Sequence, residues 1–399
     1  MVKSLTIENH IPEDLLVLSI LSKLPLKSLK RFRCLNKTCS LLFQNPNFMS
    51  IYRNNFISND RCHSYYNDTS VFLYQEHYSN NNNNKMYSSL HSLSGKRFEN
   101  REKLINLPTP FHEEDSHFYI LGCGHAIGIL CLYWRNTIVL WNPTTDESHV
   151  VPPSSIETPN HLYARFVVCL NGFGYDHVRD DYKIIRYTGC YQVPLWEIYS
   201  LRCNSWKKLD VNMPNCPWHA EPGERLYLDG ICHWWSETWC VNQDDRYPHD
   251  HYLVSYDLTN DKVFTTLLPL AILTDLDANF DVDLVLKYLL ILNGSIDVIS
   301  WYNASWGFQD EATFHISILG ELGVTESWTK LFIVGPLPYI DSVFGAGKNA
   351  DIFLRNNNNE LVHFDLSTQI IEELGVEGES ENTIILCKKS LLSIGAISH

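Results

Sequence analysis

Five times between residues 142 and 365 the chain passes through one short pattern: a strand-like run ending in an aromatic residue, a small polar residue, a turn, then another strand-like run. The polar positions are Asn142, Ser200, Asp257, Ser317 and Asp365, separated by 58, 57, 60 and 48 residues. A hairpin-built unit of this length cannot bury its own apolar face and must stack on copies of itself, and about 50 residues of strands per unit suits a propeller blade. A period near 56, fitted into the roughly 340 residues that follow the N-terminal region, predicts about six blades.

The texture agrees across this region. "AIGILCLYWRNTIVLWNPTTDESHVVP", "DYKIIRYTG", "PLWEIYSLRCNSWKKL", "YLVSYDLTNDKVFTTLLP" and "DIFLRNNNNELVHFDLSTQIIEELGV" are rich in β-branched and aromatic residues, are punctuated by turn residues, and show no long helical period. Residues 71–107 supply strands for part of a blade, and the terminal "TIILCKKSLLSIG" can complete it, closing the ring without an exposed edge. The Asn runs at 80–84 and 356–359 fall where hairpin tips belong. A two-sheet sandwich is the alternative, but it gives no reason for five evenly spaced repeats.

Composition bounds the partners. Hydrophobic residues make up 45% and aromatics 13%, ample for a packed core. With 31 basic and 46 acidic residues the net charge is −15, so neither nucleic acid nor a membrane is expected as a partner. The charge is uneven: residues 1–56 hold eight Lys/Arg against three acids, a local +5 that leaves −20 on the remainder. The apolar run 15–21 follows two acids and lacks the cleavage site of a signal peptide, and no stretch reaches transmembrane length. Twelve cysteines without CxxC pairs then read as reduced, mostly core-filling thiols. The expected compartment is cytoplasm, nucleus or both.

The N-terminal stretch "IPEDLLVLSILSKLPLKSLKRFRCLNK" is leucine-rich and basic. Pro12, Pro25 and Pro46 each precede a helix-compatible segment, at the position where proline's missing N–H costs nothing. Glu13 and Asp14 sit in a first helical turn, where the helix dipole favours acids. Leu15, Leu16, Leu18, Ile20, Leu21 and Leu24 then cover more than one helix face, and Leu26, Leu29 and Phe32 recur among basic residues. Asn45-Pro46 caps and starts a further helix holding Phe48, Ile51 and Tyr52. A bundle this small leaves leucines it cannot cover. On pattern alone it reads equally as a docking module or as a helical cap on the next domain.

These residues resemble an F-box, the adaptor-docking motif of cullin–RING ubiquitin ligases. The family pattern meets Ile11-Pro12-Glu13-Asp14-Leu15, Leu24-Pro25-Leu26-Lys27-Ser28-Leu29, Arg31-Phe32-Arg33-Cys34-Leu35 and Asn36-Lys37. One position departs: the tryptophan two residues after the lysine is Cys39. The β-rich region is similar to the F-box-associated and kelch-like domains of large plant F-box families, through "WNPTTDE", "GFGYDHVRDDYKIIRY", "IYSLRCNSWKKL" and "LDGICHWW". Kelch's double glycine is absent, so the F-box-associated type fits better; S-locus F-box proteins share this architecture. The resemblance implies a non-catalytic substrate receptor of an SCF-type ligase. Its adaptor-binding residues would be Ile11, Pro12, Leu15, Ile20, Leu24, Pro25, Leu29, Arg31, Phe32 and Leu35. Its partners would be a Skp-type adaptor and, through it, cullin and RING subunits, together with a protein substrate.

Catalytic and cofactor chemistry finds little footing. Asx residues recurring at strand ends are what turn capping produces, so Asn142, Asp257 and Asp365 read as caps rather than catalytic carboxylates. "GAGK" at 345–348 lacks the rest of a phosphate loop and reads as a turn. His125, His219 and His233 lie near Cys123, Cys216 and Cys232, but at no zinc spacing, and read as surface histidines beside core cysteines. No cofactor or metal is expected. Trp206, Trp234, Trp235 and Trp328 read as strand-borne core, whereas Trp218, Trp239, Tyr247, Trp301 and Trp306 fall in connections. Those five are the candidate substrate-binding residues, against the alternative that they pack loops onto neighbouring blades.

The expected fold is therefore multidomain α+β. A small all-α F-box bundle over 8–56 and a linker over 57–70 precede an all-β, propeller-like substrate-recognition domain over 71–399. About six blades are closed by the N- and C-terminal strands of the β region. The alternative function is a non-degradative propeller binding module with a degenerate F-box.

Overall fold

The computed structural model describes residues 69–78, 86–95, 98, 100–103, 107–111, 117–121, 128–154, 167–189, 195–211, 213–214, 225–237, 250–274, 285–292, 295–302, 311–347, 351–366, 368–377, 381–391 and 393–394, with residues 20–22, 41, 45, 47, 48 and 51 before them. The chain divides into two compact units, residues 1–68 with 390–392, and residues 69–389 with 393–399.

In the first unit Ile20 and Leu21 are helical, Leu21 buried and Ile20 half exposed. Asn45 caps as expected: its Oδ1 accepts the N–H groups of Asn47 at 2.9 Å and Phe48 at 3.2 Å, and Phe48 is helical and buried. The rest of the bundle expected over 8–56 lies outside the described residues.

The second unit is a propeller of six four-stranded antiparallel sheets. Blade I begins with β1 (Thr69–Tyr78), β2 (Met86–Ser94) and β3 (Asn100–Lys103). Blade II is β4 (Tyr119–Leu121), β5 (Leu130–Trp134), β6 (Thr137–Asn142) and β7 (Glu147–Val150). Blade III is β8 (Val167–Asp176), β9 (Asp181–Gly189), β10 (Leu195–Ser200) and β11 (Ser205–Lys208). Blade IV is β12 (Arg225–Leu228), β13 (Ile231–Glu237), β14 (His251–Asp257) and β15 (Lys262–Leu267), followed by the short helix α1 (Leu270–Leu273). Blade V is β16 (Val285–Leu292), β17 (Ser295–Tyr302), β18 (Glu311–Leu319) and β19 (Trp328–Pro338). Blade VI is β20 (Ile340–Ala346), β21 (Asp351–Asn356), β22 (Glu360–Asp365) and β23 (Ile370–Glu377). The last strand, β24 (Glu381–Lys388), returns to pair with β1 and takes the first-strand place of blade I. The ring is thus closed by the two ends of the β region, and the first strands β4, β8, β12, β16, β20 and β24 adjoin one another in sequence.

The expected repeat has a specific cause. In "WNPTTD", "YSLRCN" and "YDLTND" the polar residue ends the third strand, and its side chain takes the next turn's free N–H groups. Asn142 Oδ1 accepts from Thr144 at 2.9 Å, Ser200 Oγ from Cys203 at 3.0 Å, and Asp257 Oδ1 from Thr259 at 2.8 Å. Four residues on, Asp146, Asn204 and Asp261 adopt φ of 62°, 47° and 53°, a left-handed conformation that short Asx side chains tolerate. The aromatic residue just before the cap then donates to that residue: Tyr199 to Asn204 and Tyr256 to Asp261, both at 2.8 Å, and Trp141 to Asp146 at 3.4 Å. The same device closes the first turn of blade III, where Asp176 caps Val178 and Tyr175 donates to Asp180. Blade V departs from it. Ser317 lies two residues short of the end of β18 and donates to Ile272 O at 3.2 Å, so it is not a turn cap. The longer connection 320–327 is organised by Ser327, whose Oγ accepts from Glu321 N at 2.9 Å.

Apolar clusters fill the blade seams. One holds Leu290, Ile299, Trp301, Phe314 and Ile316 of blade V against Ile340, Leu354 and Phe364 of blade VI. Others join blades IV and V, I and II, and VI and I. Where backbones approach closely, glycine is required: a Cβ on Gly172 would sit 2.7 Å from Cys232 Cβ. Gly345 and Ala346 complete β20 against Ile384, so this part of "GAGK" is strand and not turn.

Candidate functional site

Alternating strand direction sorts the connections into two sets. First-to-second and third-to-fourth turns lie at one end of the ring, where Arg179 of blade III donates to Thr259 O of blade IV. Second-to-third turns and blade-to-blade connections lie at the other, since the single residue Tyr339 joins β19 to β20. The first end is mostly tight capped turns. The second carries the spans 104–118, 151–166, 209–224, 238–250 and 268–284 between strands, and is the loop end of the molecule. Long connections held on a rigid scaffold are where binding residues concentrate.

Of the candidate substrate-binding residues, Trp218, Trp239, Tyr247 and Trp306 lie outside the described residues. The strand ends from which their segments leave and to which they return, including Arg225, His251, Tyr302 and Glu311, are all at the loop end. Trp301 corrects the expectation. It belongs to β17, is 5% exposed, and packs with its ring 5.7 Å from that of Phe314. Its side of β17 also carries Ile299 and faces blade VI, so the ring fills the seam. Trp234, Trp235 and Trp328 are buried as expected, while Trp206 is only half buried and donates to Pro152 O at 2.7 Å. His233 was expected at the surface but is 1% exposed, bonded through Nδ1 to Ser255 Oγ at 2.8 Å, with burial pushing its pKa down to about 3. Among the adaptor-binding candidates Ile20 is described and exposed; Ile11, Pro12, Leu15, Leu24, Pro25, Leu29, Arg31, Phe32 and Leu35 lie outside the described residues.

A group that the sequence passed over as strand lies at the loop end of blade II. Tyr119 opens β4 opposite Tyr133 of β5, their rings 5.5 Å apart. Trp134 is edge-on to His117 at 4.1 Å and 5.8 Å from Tyr119. Burial lowers the pKa of His117, which favours its neutral ring. Burial raises the pKa of Tyr133, against the opposing effect of Arg225, which reaches from β12 of blade IV to donate to its hydroxyl at 3.2 Å. The β5–β6 hairpin turns through Arg135 and Asn136, and the guanidinium of Arg135 stands 5.5 Å from the centroid of the Trp134 ring. Tyr119, Tyr133 and Trp134 are each partly exposed and Arg135 is exposed. The arrangement offers aromatic faces and cationic donors, the chemistry of a binding surface. Among the described residues no group of three or more His, Cys, Asp or Glu could hold a metal ion, and no helix is long and apolar enough to cross a membrane.

Known proteins share this architecture. The F-box associated beta propeller domain matches residues 76–386. The chain is 28% identical to an F-box protein of Arabidopsis thaliana (At3g16210) over 226 residues, 56% of this chain and 53% of that protein. It is 25% identical to the F-box protein CPR1 of Arabidopsis thaliana over 395 residues, 92% of this chain and 84% of that one. An F-box/kelch-repeat protein of the same plant (At3g22730) is 28% identical over 64% of this chain and 61% of its own length. The chain thus spans about half the length of the first of these relatives and most of the second. The matched residues run from the first strand of the propeller to the strand that closes it, and the chain belongs to the plant F-box proteins that carry an F-box-associated β-propeller domain.

Proposed function

We propose that the chain is the substrate-recognition subunit of an SCF-type cullin–RING ubiquitin ligase. The observation that carries this is the pairing, in one chain, of the family's propeller over 76–386 with an F-box-like run over 11–37. Leu15, Leu24, Leu29 and their neighbours dock a Skp-type adaptor, and Lys27, Lys30 and Arg31 complement its acidic surface. The propeller holds a target protein at its loop end. The chain itself transfers nothing: it raises the local concentration of the target's lysines near ubiquitin carried by other subunits, so its contribution is proximity. The expected setting is cytoplasm or nucleus.

Co-expression with a plant Skp-type adaptor tests the reading. The wild-type chain should retain the adaptor through purification. Leu15→Asp with Leu29→Asp should lose it while the β circular dichroism stays unchanged. A folded wild-type chain that retains no adaptor would favour a propeller that binds its partner outside a ligase, with Cys39 marking a degenerate F-box.

A further inference from the structure

Left-handed backbone at non-glycine residues occurs at both ends of the propeller. Among the described residues most are Asx (Asp146, Asp180, Asn204, Asp229 and Asp261 at the capped-turn end, Asn359 at the loop end), and Phe98 and Gln369 of the capped-turn end are not. At the loop end Arg135 and Tyr339 have φ of 53° and 64°, and both side chains are exposed, Tyr339 at 64%. A long side chain rarely adopts this conformation, and a two-residue hairpin with positive φ at its first position ordinarily takes glycine. Strain kept at an exposed position, where no packing demands the side chain, points to the side chain's own use.

From that use we propose that the blade II hairpin, Trp134-Arg135 with Tyr119 and Tyr133, takes an acidic segment of the target with an aromatic or aliphatic residue beside the acid. The proposal rests on the receptor reading and names the substrate chemistry for it. Arg135 makes no ion pair with any described carboxylate, and its exposed guanidinium stands over the Trp134 ring. An acid of the target pairs with it in the fork geometry that guanidinium favours. The apolar neighbour stacks on the exposed parts of Trp134 and Tyr119, while Arg225 fixes the Tyr133 hydroxyl.

Charge complementarity selects this occupant. Residues beyond 56 carry a net −20, so an acidic segment is repelled over most of the domain and attracted at an unopposed arginine. The hairpin and its aromatic neighbours offer guanidinium, phenol and indole donors but no carboxylate, which disfavours a basic peptide.

Panning a display library of random dodecapeptides on the immobilised full-length chain tests the site. Peptides retained by the wild type should be enriched in Asp or Glu next to aromatic or aliphatic residues, and the best should bind at least about tenfold more tightly than its Asn/Gln counterpart. Arg135→Gly should lose the acid enrichment and about tenfold in affinity, yet melt no lower than wild type, because it relieves the strained turn. Arg135→Glu should shift the enrichment toward basic residues. A pool without acid enrichment, an unchanged pool with Arg135→Gly, or no retained peptide overturns the proposal. Adaptor retention is scored on the same preparations, so failure at the hairpin with the adaptor still bound removes this site and leaves the receptor reading intact.

Discussion

Asp176 and Lys183 form a buried ion pair in the propeller, and their burial makes the residue scale testable. Asp176 Oδ2 lies 2.7 Å from Lys183 Nζ, with side chains 0% and 9% exposed, and Lys183 also donates to Leu258 O of the next blade at 2.6 Å. Burial pushes the Asp176 carboxyl upward, but bonds from Lys183 and Arg179 outweigh it and hold the pKa well below the ordinary carboxylate range. A depressed folded value means stability that is present above the unfolded pKa of about 4 and is lost as pH falls below it. Asp176→Asn should cost about 3–5 kcal/mol at pH 7, by leaving Lys183 buried without its counter-charge, and the deficit should shrink toward pH 3 in urea titrations. Asp297 runs the other way. Buried and with Oδ1 unbonded, it has its pKa pushed up to about 7 by desolvation, although Leu292 N–H opposes this. The folded state therefore holds a proton that the unfolded state has released, and stability falls as pH rises from about 4 to about 7. Asp297→Asn should stabilise the chain by about 1–3 kcal/mol at pH 8 and by little at pH 4. An equal effect at both values would contradict the assignment.

At the scale of elements, each turn carries its own hydrogen-bonding instructions. Tyr256→Phe should cost about 0.5–1.5 kcal/mol, since it removes one bond, to Asp261, and leaves the Asp257 cap in place. Gly174→Ala should cost at least about 1–3 kcal/mol, because a Cβ there collides with the Tyr227 ring in the next blade. The contrast explains what the sequence could show. Aromatic, cap and left-handed residue sit within six positions in "YDLTND", so the repeat is legible from local chemistry alone. Ser317 shares the letter but not the role, because a carbonyl of α1 captures its hydroxyl. Trp301 and His233 differ from the sequence expectation for a related reason: both faces of an inner strand are buried, and the facing blade decides what each side chain meets. The Trp134-Arg135 site was hidden in a stretch that reads as continuous strand, and only the backbone angle of the hairpin marks it.

The whole molecule depends on closure and on two units with different chemistry. β24 joins β1 along eight residue pairs from Thr69–Lys388 to Glu76–Glu381, and no other part of the described chain fills the first-strand place of blade I. Truncation after Glu377 should therefore expose the edge of β1 and the Phe72–Leu130 seam, replacing one cooperative thermal transition with a broad one and with aggregation. A truncated chain that melts as wild type would mean that the ring does not need its clasp. The basic, leucine-rich N-terminal region and the acidic propeller suit two partners, one on each unit. Calorimetric titration of a purified plant Skp-type adaptor into the full-length chain tests that division most directly. The account predicts saturable one-to-one binding to the wild type and none to the Leu15→Asp, Leu29→Asp chain, with the propeller's melting transition the same in both. Absence of heat with the folded wild type, or equal binding by the double variant, would contradict it.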